Sequence, residues 1–432
     1  MMSSDRFTTE QNTRKHERYM RNKTKKPEIE LLAPAGNLEK LKTAVIYGAD
    51  AVYFGGEMFS LRAGAGNLSV PEIREAMDFL HERGARGYMT INIYPHNQHL
   101  PQLREYIREI RDIPVDAFLV SDPGVMSILW EEIPGAEVHL STQANTTNYM
   151  TAKFWVDQGV SRIVAAREMS LAEIKEMREN LPEDIEIESF VHGAMCISYS
   201  GRCLMSSFMA GRDANLGACT HPCRWKYHIV EEKRPGEYYP VEEDDHGTYI
   251  MNSRDLCMLD SIPQLAQAGV SSFKIEGRMK SSYYVATVVS AYRRALDAYL
   301  ADPDNYRYDP EWFNELCKAS HREFTHGFYF NRPGSNDQSY QSSEYIRDYS
   351  FVGVVTGYEE ETGLTIIEQR NKFSVGDDIE IFGPGTPYFT QHVEEMYDEE
   401  GNAIDCAPHP QQIVKLRLDR PAGEDFILRM KK

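Results

Sequence analysis

The sequence predicts an α/β fold: a (β/α)8, TIM-like barrel with a Cys-rich insertion after strand 7, followed by a small C-terminal all-β barrel domain. Three observations lead there. Between residues 28 and 300, short apolar runs alternate eight times with helical segments whose apolar residues recur at spacings of three and four. The seventh and eighth runs are about 80 residues apart, where the other connections take about 20 to 30. Beyond residue 350 the pattern changes to short alternating runs separated by Gly, Pro and Asp turns.

The first 27 residues stand apart. They hold eight Lys or Arg against Asp5, Glu10 and Glu17, a local charge of +5 in a chain of net charge −19. With no apolar core this segment is not a secretory signal, and it reads as a solvated basic tail or an arm that touches RNA. The predicted strands follow at 29–33, 51–54, 87–93, 117–120, 137–140, 162–165, 185–190 and 272–275. Helical segments lie between them, and Leu100, Leu103, Ile107 and Ile110 mark one apolar stripe. Eight such units over roughly 270 residues suit a closed barrel better than an open doubly wound sheet. The insertion spans about 192–257, and 252–260 is expected to lead into a helix. A long helix at 281–300 closes the 28–330 catalytic domain, a polar linker covers 331–349, and the β domain occupies 350–432 with eight basic against sixteen acidic residues.

Composition narrows the function. Hydrophobic residues make up 41% and charged residues 26%, the balance of a folded chain. The acidic net charge argues against coating nucleic acid by bulk electrostatics. No run approaches the roughly 20 apolar residues that span a bilayer, so a cytoplasmic protein without a membrane partner is expected. Seven cysteines, an odd number, do not suggest a disulfide framework.

Four of those cysteines, Cys196, Cys203, Cys219 and Cys223, fall on one stretch at spacings of 7, 16 and 4. That clustering fits a metal or iron–sulfur site, and the absence of paired C-x2-C spacing disfavours a zinc ribbon. Glycines 193, 201, 211 and 217 let the loop turn tightly. Residues 192–228 carry Arg202, Arg212, Arg224 and Lys226 against Asp213 alone, a +3 island suited to an anionic cluster or ligand. The plain alternative is a set of buried thiols acting as small hydrophobes.

These motifs carry a resemblance. Glu188 through Ser206 holds Glu-x-Phe-x-x-Gly-Ala-x-Cys-x6-Cys, and with it come Leu32-Ala-Pro-Ala-Gly36, Gly48-Ala-Asp-Ala-Val-Tyr53, Phe59-Ser-Leu-Arg62 and Lys274-Ile-Glu-Gly-Arg278. Over residues 28–330 the chain resembles the collagenase-like peptidase family of unassigned catalytic type, and its β domain is similar to that of the longer members. Within the family it is most similar to the bacterial tRNA hydroxylation protein P group, implicated in making 5-hydroxyuridine at the tRNA wobble position. The resemblance implies an oxygen-independent hydroxylation on tRNA. It also implies a [4Fe–4S] cluster on Cys196, Cys203, Cys219 and Cys223 with Cys257 in reserve, prephenate involvement, and a shorter homologous protein as a possible partner. The electron donor is not implied.

The peptidase name has little support in the residues. His81-Glu82 is not followed by the second histidine of a zinc protease helix, and no Gly-x-Ser-x-Gly elbow surrounds Ser200. A thiol nucleophile paired with His192 or His221 stays open as one alternative. An RNA-binding accessory protein with a structural metal is another.

Barrel geometry supplies the remaining candidates. His192 at the end of strand 7, and Glu276 and Arg278 beyond strand 8, are candidate catalytic groups, with a hydrogen-bonded loop histidine and a structural Arg–Glu pair as the plain readings. Arg62, Gln143, Asn145 and Arg167 fall near strand C-termini and are candidate substrate-binding residues. Arg224 and Trp225 could clamp an unpaired base, although Trp225 suits core packing equally.

Overall fold

The computed structural model describes residues 29–196, 198–225, 254–331 and 345–432, with the backbone of two short paired strands, Ile229–Val230 and Tyr238–Tyr239. The basic tail 1–27, most of the 331–349 linker and most of 226–253 lie outside the described residues. The described residues form two compact units, one of 29–45, Ala49–Lys280 and 322–331, the other of Ile46–Gly48, Ser281–His321 and Tyr345–Lys432.

In the first unit, β1 (Glu30–Pro34), β2 (Ala51–Gly55), β3 (Arg86–Ile91), β4 (Ala117–Val120), β5 (Val138–Leu140), β6 (Arg162–Val164), β7 (Glu186–Ala194) and β8 (Ser272–Ile275) pair in parallel in chain order. β8 pairs with both β7 and β1, with Glu30 opposite Ser272, so the eight strands close a TIM-like barrel. The intervening helices are α1 (Leu38–Ile46), α2 (Val70–Glu82), α3 (Leu100–Ile110), α4 (Pro123–Glu132), α5 (Tyr149–Asp157) and α6 (Leu171–Glu179). Their starts are written locally. Ser69 and Ser170 form capping boxes with Glu72 and Glu173, while Asp122 and Asn148 accept from backbone N–H groups three residues on. On α3 the buried Leu103, Ile107 and Ile110 are the stripe the periodicity predicts.

The insertion holds a strand that the sequence reading did not include. β7 continues four residues past 190, and its end pairs antiparallel with Asp255–Cys257, which pairs in parallel with Phe324–Thr325. Residues 255–257 form this short strand, with Met258 N–H donating to Val191 O at 2.9 Å, and the segment then turns through Leu259–Ser261 into a helix, as expected of 252–260. The insertion leaves and returns at one strand. It carries the short helix α7 (Met205–Ala210), and α8 (Ile262–Gln267) leads back to β8.

The barrel interior holds charge. Arg162 of β6 donates to Glu30 of β1 at 2.6 Å and Glu188 of β7 at 3.0 Å, and Arg86 of β3 also pairs with Glu30. Lys274 of β8 donates to Glu188 at 2.6 Å. All five side chains are buried, so each charge depends on its partners inside the wall.

The second unit contains α9 (Ser282–Ala301), α10 (Pro310–Leu316), and the antiparallel strands β9 (Tyr349–Glu359), β10 (Leu364–Gln369), β11 (Asp378–Phe382), β12 (Phe389–His392), β13 (Ile413–Leu416) and β14 (Ile427–Lys431). They form an antiparallel sheet in the order β12-β11-β14-β9-β10-β13, packed around Val352, Ile367, Ile381 and Leu428. Arg429 of β14 ties the sheet to α10 by donating to Glu315 and Glu380, each at 2.7 Å. Among the described residues, no helix is long and apolar enough to cross a membrane.

Candidate functional site at the barrel mouth

Strand C-termini converge on a mouth whose first component is the loop after β2. Three non-glycine residues in this loop, Phe59, Arg62 and Asn67, have φ values of 60°, 67° and 57°. Such left-handed conformations persist only where surrounding bonds hold them. Arg278, beyond β8, holds these. Its Nη1 donates to Ser60 Oγ and Leu61 O at 2.8 Å each and to Thr90 Oγ1 at 3.3 Å, and Nη2 donates to Asn67 Oδ1. The side chain can lie there because position 55 is glycine, where a Cβ would collide with the guanidinium. Arg278 is only 2% exposed, and burial pushes its pKa down to about 10. Its donors are directed at the loop that carries Arg62.

Arg62 in turn faces Glu276. Arg62 Nε lies 3.8 Å from Glu276 Oε1, and Arg167, beyond β6, donates from Nη2 to Glu276 Oε2 at 3.1 Å. Burial opposes ionisation of Glu276, but Arg62 and Arg167, with Lys274 and Arg278 farther off, outweigh it and hold the carboxyl below its ordinary range. Below this row Lys274 sits 4.2 Å from the Tyr53 ring centroid, and the Arg167 guanidinium lies 4.0 Å from that of Phe190. Three guanidiniums against one carboxylate leave the mouth with excess positive charge.

The cysteine segment lies over that mouth as a cap. Gly193 has φ 102°, and a Cβ there would strike the Glu276 backbone; Gly201 has φ 72° and packs on the Gln143 carbonyl. Further bonds fasten the cap to the loops after β2, β3 and β6: Ala63 N–H to Gly217 O at 3.3 Å, Tyr94 N–H to Asn215 O at 3.2 Å, and Ser200 N–H to Glu168 Oε1 at 2.9 Å. Cys196 is exposed, and Cys203, Cys219 and Cys223 are half-buried. Arg167 Nη1 lies 3.9 Å from Cys196 Sγ, and His221 N–H donates to Cys219 Sγ at 3.4 Å. Arg62 feels both of these thiols, which with Glu276 raise its pKa against burial.

Four soft sulfur donors, an N–H donor on one of them and a cationic floor suit an iron–sulfur cluster, whose thiolates need charge balance and N–H···S bonds. Among the described residues, the three metal-type ligand groups that come within 4.8 Å of one another are Glu137, His139 and Glu186, not the cysteines.

The remaining predicted residues divide. Gln143 lies in the Thr142–Ala144 turn under the cap, and its carbonyl accepts from Tyr94 OH. Asn145 ends that turn with φ 56°. His192 is buried in β7 opposite Cys257, itself buried, with its ring centroid 5.6 Å from that of Phe324. Trp225 is exposed, and the Arg224 side chain lies outside the described residues. Sequence reasoning quoted Ser60, Glu188 and Lys274 within motifs but gave them no role at the site, and it did not name Asn67 and Thr90 around Arg278. The available signal was the motif Lys274-Ile-Glu-Gly-Arg278, which ties Lys274 to two of the candidate residues.

Comparison with known proteins follows this geometry. Residues 36–339 match peptidase family U32, and residues 347–429 match the peptidase family U32 C-terminal domain. The chain is 46% identical over 397 residues to tRNA hydroxylation protein P1 of Bacillus subtilis (strain 168), covering 92% of this chain and 93% of the relative. It is 37% identical to tRNA hydroxylation protein P of Escherichia coli (strain K12), covering 93% of this chain and 96% of the relative. It is also 36% identical to the 23S rRNA 5-hydroxycytidine C2501 synthase of Escherichia coli (strain K12), covering 63% of this chain and 40% of the relative.

Proposed function

The chain belongs to peptidase family U32, and from that premise we propose that it is a tRNA-modifying enzyme that hydroxylates C5 of the wobble uridine without molecular oxygen, using a [4Fe–4S] cluster. The observation that carries this reading is the row Arg62–Glu276–Arg167, flanked by Cys196 of the cap. Relatives named for hydroxylation of tRNA and of a cytidine in rRNA support an RNA pyrimidine as the substrate.

The row suits a uracil edge. Uracil presents an N3–H donor between two carbonyl acceptors. A carboxylate between two guanidiniums presents the opposite order, and Glu276 is held ionised to accept. Cytosine offers no donor at N3, so the same row discriminates against it. Arg278 keeps the Arg62 loop in place, and Lys274 below the row contributes positive charge that favours the Glu276 carboxylate. Cys196, Cys203, Cys219 and Cys223 would hold the cluster, with Cys257 in reserve, and the cluster would supply electron transfer beside the base. Because replacing C5–H by C5–OH removes two electrons and adds one oxygen, a separate oxygen donor that is itself reduced by two electrons would complete the reaction. Prephenate, a dicarboxylate, would find its cationic partners in the same mouth.

Peptidase chemistry by a thiol would need an imidazole beside the sulfur. Among the described residues, Cys196 meets a guanidinium and Cys219 a backbone N–H, and Cys257, the cysteine opposite His192, is buried.

The test is nucleoside mass spectrometry of tRNA from a strain deleted for this gene and grown without oxygen. Wild-type protein is expected to restore 5-hydroxyuridine, and Glu276→Gln and Cys196→Ser are expected not to. Restoration by a Cys196→Ser protein that carries no iron would overturn the cluster's role, and failure of the wild type would overturn the reading.

A further inference from the structure

The cap carries exposed apolar side chains to which the mouth gives no role. Leu204 and Phe208, one helical turn apart on and beside α7, are 69% and 88% exposed, with Tyr199 and Trp225 also exposed. Soluble chains seldom leave large apolar side chains grouped in water without a use for them. The support beneath them is fixed: Thr220 N–H donates to Ser206 Oγ at 3.1 Å, the two hydroxyls lie 3.1 Å apart, and Trp225 N–H donates to Pro222 O at 3.0 Å. α7 is therefore stitched to the 220–225 turn, and the apolar groups are presented on a held surface.

Charge accompanies them. Arg202 and Arg212 are exposed on the same segment, and its one acid, Asp213, accepts from Asn215 N–H at 2.8 Å. The chain as a whole is at −19, so an RNA phosphate backbone would be drawn to its few positive regions, this island among them. Flat apolar side chains interleaved with guanidiniums are what unpaired bases stack on, because every base has a π-face and each phosphate a charge.

We propose that Tyr199, Arg202, Leu204, Phe208, Arg212 and Trp225 form a docking platform for the unpaired nucleotides of an RNA loop, seating the bases that neighbour the one entering the mouth. This rests on the proposed reading that the mouth acts on an RNA base. The platform supplies affinity by stacking and phosphate contact, and the row beneath supplies base identity. Such a division allows an acidic protein to hold a loop while leaving paired RNA unbound.

The test uses the full chain, prepared anaerobically, with two fluorescently labelled RNAs: a hairpin with an unpaired loop and a fully paired duplex of the same length. Wild type is expected to bind the hairpin more tightly than the duplex. Phe208→Ala is expected to weaken hairpin binding by about five- to a hundredfold, the range set by loss of one stack. Arg202→Gln and Arg212→Gln are each expected to reduce the slope of log affinity against log salt by about 0.7. Tyr358→Ala, an exposed aromatic of the second unit, is expected to leave binding unchanged. Hairpin binding at wild-type strength by Phe208→Ala and by the double arginine variant would overturn the platform, as would equal binding of hairpin and duplex. So would self-association that Phe208→Ala abolishes while hairpin binding persists, since the surface then belongs to a protein contact. The two readings separate cleanly. Wild type that binds the hairpin through Phe208 yet restores no 5-hydroxyuridine leaves the platform standing and removes the proposed reaction.

Discussion

Arg162 and Glu30 meet at 2.6 Å inside the barrel wall, joining strands 132 residues apart in sequence, with neither side chain more than 2% exposed. Glu30 also takes Arg86 and hydrogen bonds from Tyr88 OH at 2.6 Å and Ser272 Oγ at 2.7 Å, so one carboxylate serves β3, β6 and β8 from its place on β1. Burial opposes its ionisation, but the two arginines outweigh it and hold its pKa far below the ordinary value. Removing one member of such a set leaves its partners charged, buried and uncompensated. Glu30→Ala is therefore expected to cost about 3–5 kcal/mol, read as a lower midpoint in urea unfolding of the full chain. A loss below about 1 kcal/mol would mean that water or relaxation compensates the arginines.

A pH dependence comes from the outer ring. His81 of α2 lies 3.1 Å from Asp116, and that hydrogen bond, against partial burial, raises the histidine pKa above its ordinary 6.5. A raised folded-state pKa contributes stability that is fully present below the unfolded value and lost as pH rises through the folded one. Unfolding free energy measured from pH 6 to pH 8 should thus fall more for the wild type than for Asp116→Asn. Because the pair is partly exposed, the difference should be under about 1 kcal/mol. Parallel curves for the two proteins would show that the pair is not coupled to folding.

What is legible in the sequence follows physical locality. α3 is legible because Leu103, Ile107 and Ile110 repeat at helical spacing, and β4 because Ala117–Val120 is an unbroken apolar run buried on both faces. The cap's cysteines are legible because they crowd one loop. The charged barrel interior is not. Arg162 reads as a polar residue at the edge of an apolar run, and only closure of the barrel places Glu30 beside it. The same holds for Tyr94, Gln143 and Gly201, which meet where the cap's Gly201 touches two other loops. The strand at Asp255–Cys257 is hidden because its partner is the far end of β7, about 60 residues upstream, and three residues carry no periodicity.

Arg278 gives a prediction that separates positioning from contact. Its guanidinium fixes Ser60, Leu61 and Asn67, around the left-handed Arg62, while Arg62 itself faces Glu276. Arg278→Lys keeps the charge but loses the fork, so the loop bonds cannot all be made. The variant should unfold about 1–3 kcal/mol more easily, and limited proteolysis should cut within residues 56–69, where the wild type resists. Arg62→Lys should leave both the unfolding free energy and the proteolysis pattern close to wild type while lowering 5-hydroxyuridine in tRNA. Equal proteolysis of both variants would assign the loop's order to Arg62 and not to Arg278.

The cysteines give the last prediction, and it is graded by position. Cys196 and Cys219 lie on the cap, where Arg167 and the His221 N–H reach their sulfurs; Cys257 is buried in a strand paired to β7. If the cap holds the cluster, protein purified without oxygen should contain about four irons and four sulfides per chain and give a paramagnetic resonance signal on reduction. Cys196→Ser and Cys219→Ser should each lose most of that iron. Cys257→Ser should keep it if Cys257 only packs against β7, at a stability cost of about 1 kcal/mol for replacing a buried thiol with a hydroxyl. Iron lost from Cys257→Ser but retained in Cys223→Ser would instead move the fourth ligand onto that strand, making the paired end of β7 part of the cluster's support. Iron retained in all four variants would remove the cap from metal binding altogether and leave its +3 charge to the RNA alone.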